Sequence, residues 1–187
     1  FMSQRTSAGY WHHAAYAPYP EGWYSSMDFA SVAMAALVME QLTGDDRFAD
    51  QGRDLVNQML LPVARGGTNH NAFPKCWLGE YVWPGMSETD QNFVLNGSMY
   101  ALQALEFYRA RFPTDRTFQT ASECIRRDFK RMSSRFEYPD GSWRYYMLNP
   151  PTPIMAHYLI YETMQFDALH LMTGRPIFAQ EAERRRQ

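Results

Sequence analysis

Trp23 and Tyr24 fall in one stretch of the chain. Trp77, Glu80, Tyr81 and Trp83 fall in a second, Trp143, Arg144, Tyr145 and Tyr146 in a third, and Tyr158 and Tyr161 follow soon after. Indole and phenol rings present flat apolar faces with a polar edge, and a carboxylate and a guanidinium add charge of both signs. Rings that can lie against C–H faces, next to groups that can grip hydroxyl and acid edges, are the ingredients of a saccharide groove. Each residue also has a plainer reading. A loop tryptophan packs more often than it serves as a platform. Glu80 would then cap a neighbouring helix, Tyr161 would be a core residue with a satisfied hydroxyl, and Arg144 would be a surface charge.

Helices must position these stretches. Residues 1–24 keep neither a helical nor a strand period and read as an irregular segment. Ser25 and Ser26, with Asp28 behind them, open an almost wholly apolar helix (Phe29, Val32, Ala33, Ala36, Leu37, Met39, Leu42) that Gly44 stops. Asp45 and Asp46 begin a second helix to about Leu61. A third, apolar helix runs from Phe93 to Arg111. Thr114 and Asp115 open a fourth to about Ser134, with Phe118, Ala121, Ile125, Phe129 and Met132 on one face. Ile154 to Thr173 is a fifth, mostly apolar helix ended by Gly174, and Pro176 starts a sixth. Met27, Met34, Met39, Met99, Met155 and Met164 recur at helical spacing and read as core.

Residues 42–48, 112–118 and 172–178 are related turns, each between an apolar helix and a more polar one, with Phe48, Phe118 and Phe178 just inside the second helix. The chain therefore reads as all-α, three αα-hairpins in sequence. A helix apolar on every side wants burial on every side, and an amphipathic one wants a single buried face. Apolar helices inside and amphipathic ones outside satisfy both, which predicts an α/α toroid or barrel over 25–187, with a plain orthogonal bundle as the competitor. The short connections lie at the C-terminal ends of the apolar helices. The long ones, 62–92 and 135–153, enter the N-terminal ends. All the aromatic loops then gather on one face, where helix N-termini favour an anionic ligand.

Composition narrows the partners. Lys and Arg number 18 against 20 Asp and Glu, a net charge of −2, which argues against a nucleic-acid binder by bulk charge. No apolar run is long enough to span a bilayer, and no targeting segment is visible, so neither membrane insertion nor a compartment is read. Aromatic residues make up 16% of the chain, more tyrosine and tryptophan than a core alone would use. The two cysteines, Cys76 and Cys124, are too few for a disulfide framework or a zinc site, and no pattern marks Cys76 as a nucleophile. His12-His13 lacks a third ligand, so no metal is expected.

At Glu80 a family resemblance becomes specific. Gly-Glu-Tyr-Val-Trp-Pro (79–84) followed by Phe-Val-Leu-Asn-Gly-Ser-Met-Tyr-Ala-Leu (93–102) resembles the C-terminal domain of the D-glucuronyl C5-epimerases of heparan sulfate and heparosan. Gly-Trp-Tyr-Ser-Ser-Met (22–27), Leu-Thr-Gly-Asp (42–45) and Arg-Gly-Gly (65–67) agree upstream. Gly-Ser-Trp-Arg-Tyr-Tyr (141–146) and Tyr161 through Gly174 match more loosely. The resemblance covers about 20 to 178. It implies an α/α-barrel catalytic domain at the C-terminal end of a longer protein, acting without an organic cofactor on an acidic polysaccharide, in a family whose members tend to dimerise.

The implied reaction inverts carbon 5 of glucuronate units. The C5 hydrogen is acidic only because it lies α to a carboxyl group, so a site must stabilise the extra charge with cations or hydrogen-bond donors. A base on one face removes the proton and an acid on the other returns one. By the resemblance, Glu80 is the catalytic Glu and Tyr161 a catalytic Tyr. Tyr145 or Tyr146 is a second catalytic Tyr, and Arg144 the third-loop Arg. Trp23, Tyr24, Tyr81, Trp83, Trp143 and Asn96 are candidate substrate contacts, although Asn96 also reads as bonding loop backbone and Gly97 as permitting close helix packing. The chain departs from the family at Glu162 and Gln165, where histidines are typical. A lyase or unsaturated-uronide hydrolase on the same scaffold, and a glycan-binding toroid without chemistry, are the alternatives.

Overall fold

The computed structural model describes residues 13–14, 18–70 and 75–187, with the side chain of Glu88 left aside. Six α-helices lie among them: α1 (Ser26–Thr43), α2 (Arg47–Met59), α3 (Leu95–Arg111), α4 (Arg116–Met132), α5 (Ala156–Thr173) and α6 (Pro176–Arg186). Their ends follow local chemistry. The Ser25 hydroxyl accepts from Met27 N and caps α1, and Gly44, at φ 69°, stops it in the left-handed conformation. Asp115 caps α4 by accepting from Thr117 N. The start of α3 lies two residues later than the apolar pattern predicts, because Phe93 sits at φ 53°. That conformation costs a non-glycine residue about 1–2 kcal/mol, and it turns the chain into α3 beside the site described below.

Each helix packs on its sequence neighbour as an αα-hairpin: α1 with α2, α3 with α4, α5 with α6. The first helices of the hairpins pack side by side in the order α1, α3, α5. Helix α3, in the middle, is buried nearly all round, from Leu95 to Leu105 with few breaks. Phe118 and Phe178 are buried at the expected place in their hairpins, while Phe48 is half-buried.

Two expectations change. Helices α1 and α5 were expected to be buried on every side, yet Val38, Met39 and Leu42 of α1 and Ile160, Met164 and Leu171 of α5 are exposed. They are the outer members of a three-helix row, so each lacks a neighbour on one flank among the described residues. Consequently Met39, Met155 and Met164 are exposed and Met27 and Met34 half-buried, leaving Met99 alone of that set deep in the core.

The fold is also not purely helical. The connection 135–153, third of the aromatic-bearing stretches, folds into an antiparallel pair, β1 (Tyr145–Leu148) and β2 (Pro151–Pro153), with Tyr145 opposite Pro153, Leu148 opposite Pro151 and an irregular register between Tyr145 and Met147. Four prolines in 135–153 argue against a strand by propensity, but a two-stranded ribbon has only edges, where proline is tolerated. Short 3-10 turns occur at Val63–Arg65, Glu88–Asp90 and Ser133–Phe136.

Cys76 and Cys124, for which no pairing was expected, form a disulfide across a sequence separation of 48. It ties the second long connection to the outer helix α4. Asp128 on α4 adds a hydrogen bond from Cys76 N at 2.7 Å.

Candidate active site

The second connection reaches the site as an extended segment held on both edges. Tyr24 and Val82 exchange two backbone hydrogen bonds, at 2.7 and 2.9 Å. Ser26 N donates to Gly79 O at 3.0 Å, and Gly79 N donates to Thr68 O at 2.8 Å. Extended backbone alternates its side chains, and Leu78, Glu80 and Val82 are all buried here. Two of these are apolar and belong in a core; the third is a carboxylate, 3% exposed.

Glu80 lies against the first turn of α3. An ideal Cβ added to Gly97 would come within 2.6 Å of Glu80 Oε2 and 2.7 Å of its Cβ. Gly97 thus allows a close approach, of a carboxylate rather than of another helix. The positive end of α3 also favours a negative charge there. On its other side, the Tyr146 hydroxyl donates to Glu80 Oε1 at 2.7 Å, and the Tyr81 and Tyr146 hydroxyls are 2.9 Å apart. Glu80 Oε2 has no hydrogen-bond partner.

Burial is the main influence on Glu80 and pushes its pKa up to about 7, against the Tyr146 hydrogen bond and the nearby Tyr81 hydroxyl and Gly97 N–H, which favour the ionised form; the charge on Asp28 pushes it further up. The carboxyl is therefore poised to gain or lose a proton near neutrality. Tyr81 and Tyr146 are pushed the other way from reactivity as bases. Burial, then the Glu80 charge, raises both well above the ordinary tyrosine value. Both keep their protons and act as donors.

These groups open into a cavity of about 240 Å³ lined by Met27, Glu80, Tyr81, Asn96, Tyr100, Tyr146, Tyr158, Tyr161 and Gln165. Met27 comes from the first turn of α1, Asn96 and Tyr100 from the start of α3, and Tyr158 and Tyr161 from the start of α5. The cavity thus sits where the long connections meet the N-terminal ends of the row of inner helices. Rings continue from its wall: Tyr146 to Tyr158 at 5.2 Å and Tyr158 to Tyr161 at 6.5 Å between centroids. Tyr161 is 57% exposed at this edge. Gln165 Nε2 reaches Asn96 O at 3.5 Å, while its Oε1 is buried without a partner. Asn96 Oδ1 accepts from Gly97 N at 2.8 Å, so it serves local backbone while its residue lines the cavity.

An aromatic wall adjoins the cavity through Tyr81. Tyr19 stacks on Tyr81 at 4.1 Å, Trp23 lies 5.2 Å from Tyr81, and Trp83 lies 6.2 Å from Tyr19. Trp23 is in turn stacked on His13 at 4.0 Å. His13 is bonded to Asp28 at 2.7 Å, and His12 lies outside the described residues. Tyr19, which no motif marked, belongs to this wall; its stacking on Tyr81 is a long-range contact invisible to periodicity.

Other expected residues lie elsewhere. Tyr24 is 1% exposed and gives its hydroxyl to Gly67 O at 3.1 Å, a core position and not a substrate contact. The β1–β2 ladder is irregular between Tyr145 and Met147, and the two tyrosines part there. Tyr146 meets Glu80, whereas Tyr145 packs on Tyr138 at 4.5 Å and on the hydrophobic core. Arg144 does not line the Glu80 cavity. Its Nη1 donates to Glu137 at 2.8 Å and its Nη2 to Arg184 O at 2.7 Å, in a separate cavity that Trp143 also lines. Glu162 and Gln165, on one helix, have parted: Gln165 lines the Glu80 cavity, and Glu162 is buried against Arg185 at 3.1 Å. No arginine or lysine lines the Glu80 cavity among the described residues. The cysteine sulfurs and Asp128 lie close enough to suggest a metal cluster, but the sulfurs are bonded to each other and offer no thiolate.

Compared with protein families, the chain matches the one described as D-glucuronyl C5-epimerase C-terminus over residues 3–187. Comparison with curated proteins gave no match.

Proposed function

The chain belongs to the D-glucuronyl C5-epimerase C-terminal family, and on that basis we propose that it inverts C5 of D-glucuronate units in a heparosan- or heparan-like polysaccharide. The observation that carries the reading is the buried Glu80–Tyr146 pair at the wall of an open cavity, with the glutamate poised near neutral pH. A base with such a pKa combines a substantial ionised fraction with useful basicity.

In this reading, ionised Glu80 takes the C5 hydrogen as a proton. The C–H pair moves into the adjoining carboxyl group, giving an enediolate-like intermediate. Tyr161, at the exposed edge of the cavity, returns a proton to the opposite face, and the pair falls back to C5 with inverted configuration. Tyr146 and Tyr81, which hold their protons, steady the carboxylate of Glu80. With no cation on the cavity wall among the described residues, the amides of Asn96 and Gln165, the tyrosine hydroxyls and the positive end of α3 supply the stabilisation of developing charge. Trp23, Tyr81 and Trp83, backed by the buried Tyr19, form a platform for the neighbouring sugar. No organic cofactor enters this chemistry. The row α1, α3, α5 with α2, α4 and α6 outside it supports reading the chain as an arc of an α/α toroid.

Incubation with desulfated heparosan in deuterated water tests the reading. Deuterium appearing at C5, seen by NMR, is the expected result, and Glu80→Gln should abolish it while leaving binding. Absorbance from unsaturated uronate would instead make the chain a lyase, and binding without either signal would make it a glycan-binding scaffold.

A further inference from the structure

The second cavity, of about 400 Å³, is lined by Glu137, Ser142, Trp143, Arg144, Arg184 and Arg185 among others. It lies between the loop before β1, the first turns of α5 and the last turn of α6. Arg144 and Arg184 bring guanidinium groups to it, and the enclosed Arg185 side chain lies behind them. Arg144 is held by Glu137 and the Arg184 carbonyl. The Arg184 side chain is 51% exposed; its Nη1 is 3.1 Å from Glu181 and 3.7 Å from Glu137. Arg185 is wholly buried, over the Phe166 ring at 4.3 Å.

Arg185 backs the cavity. Its Nε donates to Glu162 at 3.1 Å and its Nη1 to Glu181 at 2.9 Å, yet its Nη2 has no hydrogen-bond partner. Enclosed on all sides, that donor adds positive charge behind the cavity wall, and the half-exposed Arg184 is the fork that can meet a planar or tetrahedral oxyanion. Among the described residues lining the cavity, Glu137 is the one carboxylate side chain; Glu162 and Glu181 pair with Arg185, and neither lines it. Glu162, opposed by Arg185, is nonetheless pushed by burial up to about 7, so its negative charge is reduced near neutrality. Trp143, 39% exposed and fixed by its Nε1 donating to Ile154 O at 2.8 Å, adds an aromatic edge.

We propose that the cavity bounded by Arg144, Arg184, Arg185 and Trp143 is an anion subsite for a sugar unit of the acidic polymer, taking its carboxylate or sulfate group. This rests on the reading of the ligand as an acidic polysaccharide. It removes Arg144 from the chemical step and gives it a second sugar to hold, on the other side of β1 and α5 from Glu80.

The Trp143 indole N–H resonance, assigned with Trp143→Phe, reports on the cavity in a 15N-labelled chain. Titration at fixed ionic strength uses sodium sulfate, sodium glucuronate and a heparosan hexasaccharide. A saturable shift with the hexasaccharide is expected, with Arg184→Gln weakening it about tenfold. Sulfate saturating before glucuronate assigns a sulfated unit, and the reverse order assigns the carboxylate. Arg184→Glu, a change on the same half-exposed side chain, should abolish the shift with thermal unfolding preserved. No saturable shift with any probe, or titrations unchanged in both Arg184 variants, overturns the proposal. Glu80→Gln separates the two readings: it should lose C5 exchange and keep the Trp143 titration.

Discussion

The Tyr146 hydroxyl donates to Glu80 Oε1 at 2.7 Å, joining a β-hairpin in the third connection to an extended segment in the second across 66 residues. This bond favours the ionised carboxylate, against the burial that disfavours it. Tyr146→Phe should therefore raise the Glu80 pKa above about 7. The acidic limb of a pH–rate profile for C5 exchange should move to higher pH, and the rate at neutral pH should fall by on the order of 10²-fold. Tyr145→Phe, on the opposite face, should leave the limb where it is.

Gly97→Ala puts a methyl group where Glu80 already lies. Either the carboxylate leaves the α3 N-terminus or the segment 78–82 moves. Overpacking of this kind costs about 1–3 kcal/mol. Denaturant titration should show that loss, and C5 exchange should fall more than stability alone explains, because the base is displaced.

Glu80 also sets a pH dependence of stability. Its folded pKa, about 7, is above the ordinary carboxyl value of 4.5, so between those values the folded chain binds the extra proton. Stability contributed by this group is present below about 4.5 and lost as pH rises to about 7. His70 works the other way lower down: burial lowers it from 6.5 to about 4, so stability is gained as pH rises through that window. Comparing Glu80→Gln with the native chain isolates the carboxyl. The variant should gain in melting temperature at pH 8 relative to pH 5; an equal difference at both would contradict the burial argument.

The Cys76–Cys124 disulfide closes a long loop and anchors the segment that presents Glu80 four residues later. Loop-closure entropy for that separation gives a stabilisation of about 4 kcal/mol. Reductant, or Cys76→Ser with Cys124→Ser, should shift the denaturant midpoint accordingly. C5 exchange under conditions where the chain stays folded should also decline, since Glu80 loses one of its anchors.

The helices were legible because their signals are local: Ser25, Gly44, Asp115 and Gly174 act on adjacent backbone, and apolar spacing marks the buried faces. Motif resemblance singled out Glu80 and Tyr161, and both line one cavity. Other features depend on contacts distant in sequence. Whether Tyr145 or Tyr146 faces Glu80 is decided at the irregular step of the β1–β2 ladder, and a proline-rich stretch hid the strand. Arg144 has the residue type expected of a charge-stabilising group, but its direction is set by Glu137 and by the end of α6. The pairing of Cys76 with Cys124 required the loop and α4 to be brought together first.

The wall around Glu80 carries no fixed cation among the described residues, and this separates the two cavities by their response to ionic strength. Dipoles and neutral donors inside a sheltered space are little screened by dissolved ions, whereas the half-exposed Arg184 stands within reach of them. Adding salt should loosen the polymer's hold at the arginine end while leaving the intrinsic turnover of a bound uronate nearly untouched, so that the chain would lose grip before it loses chemistry.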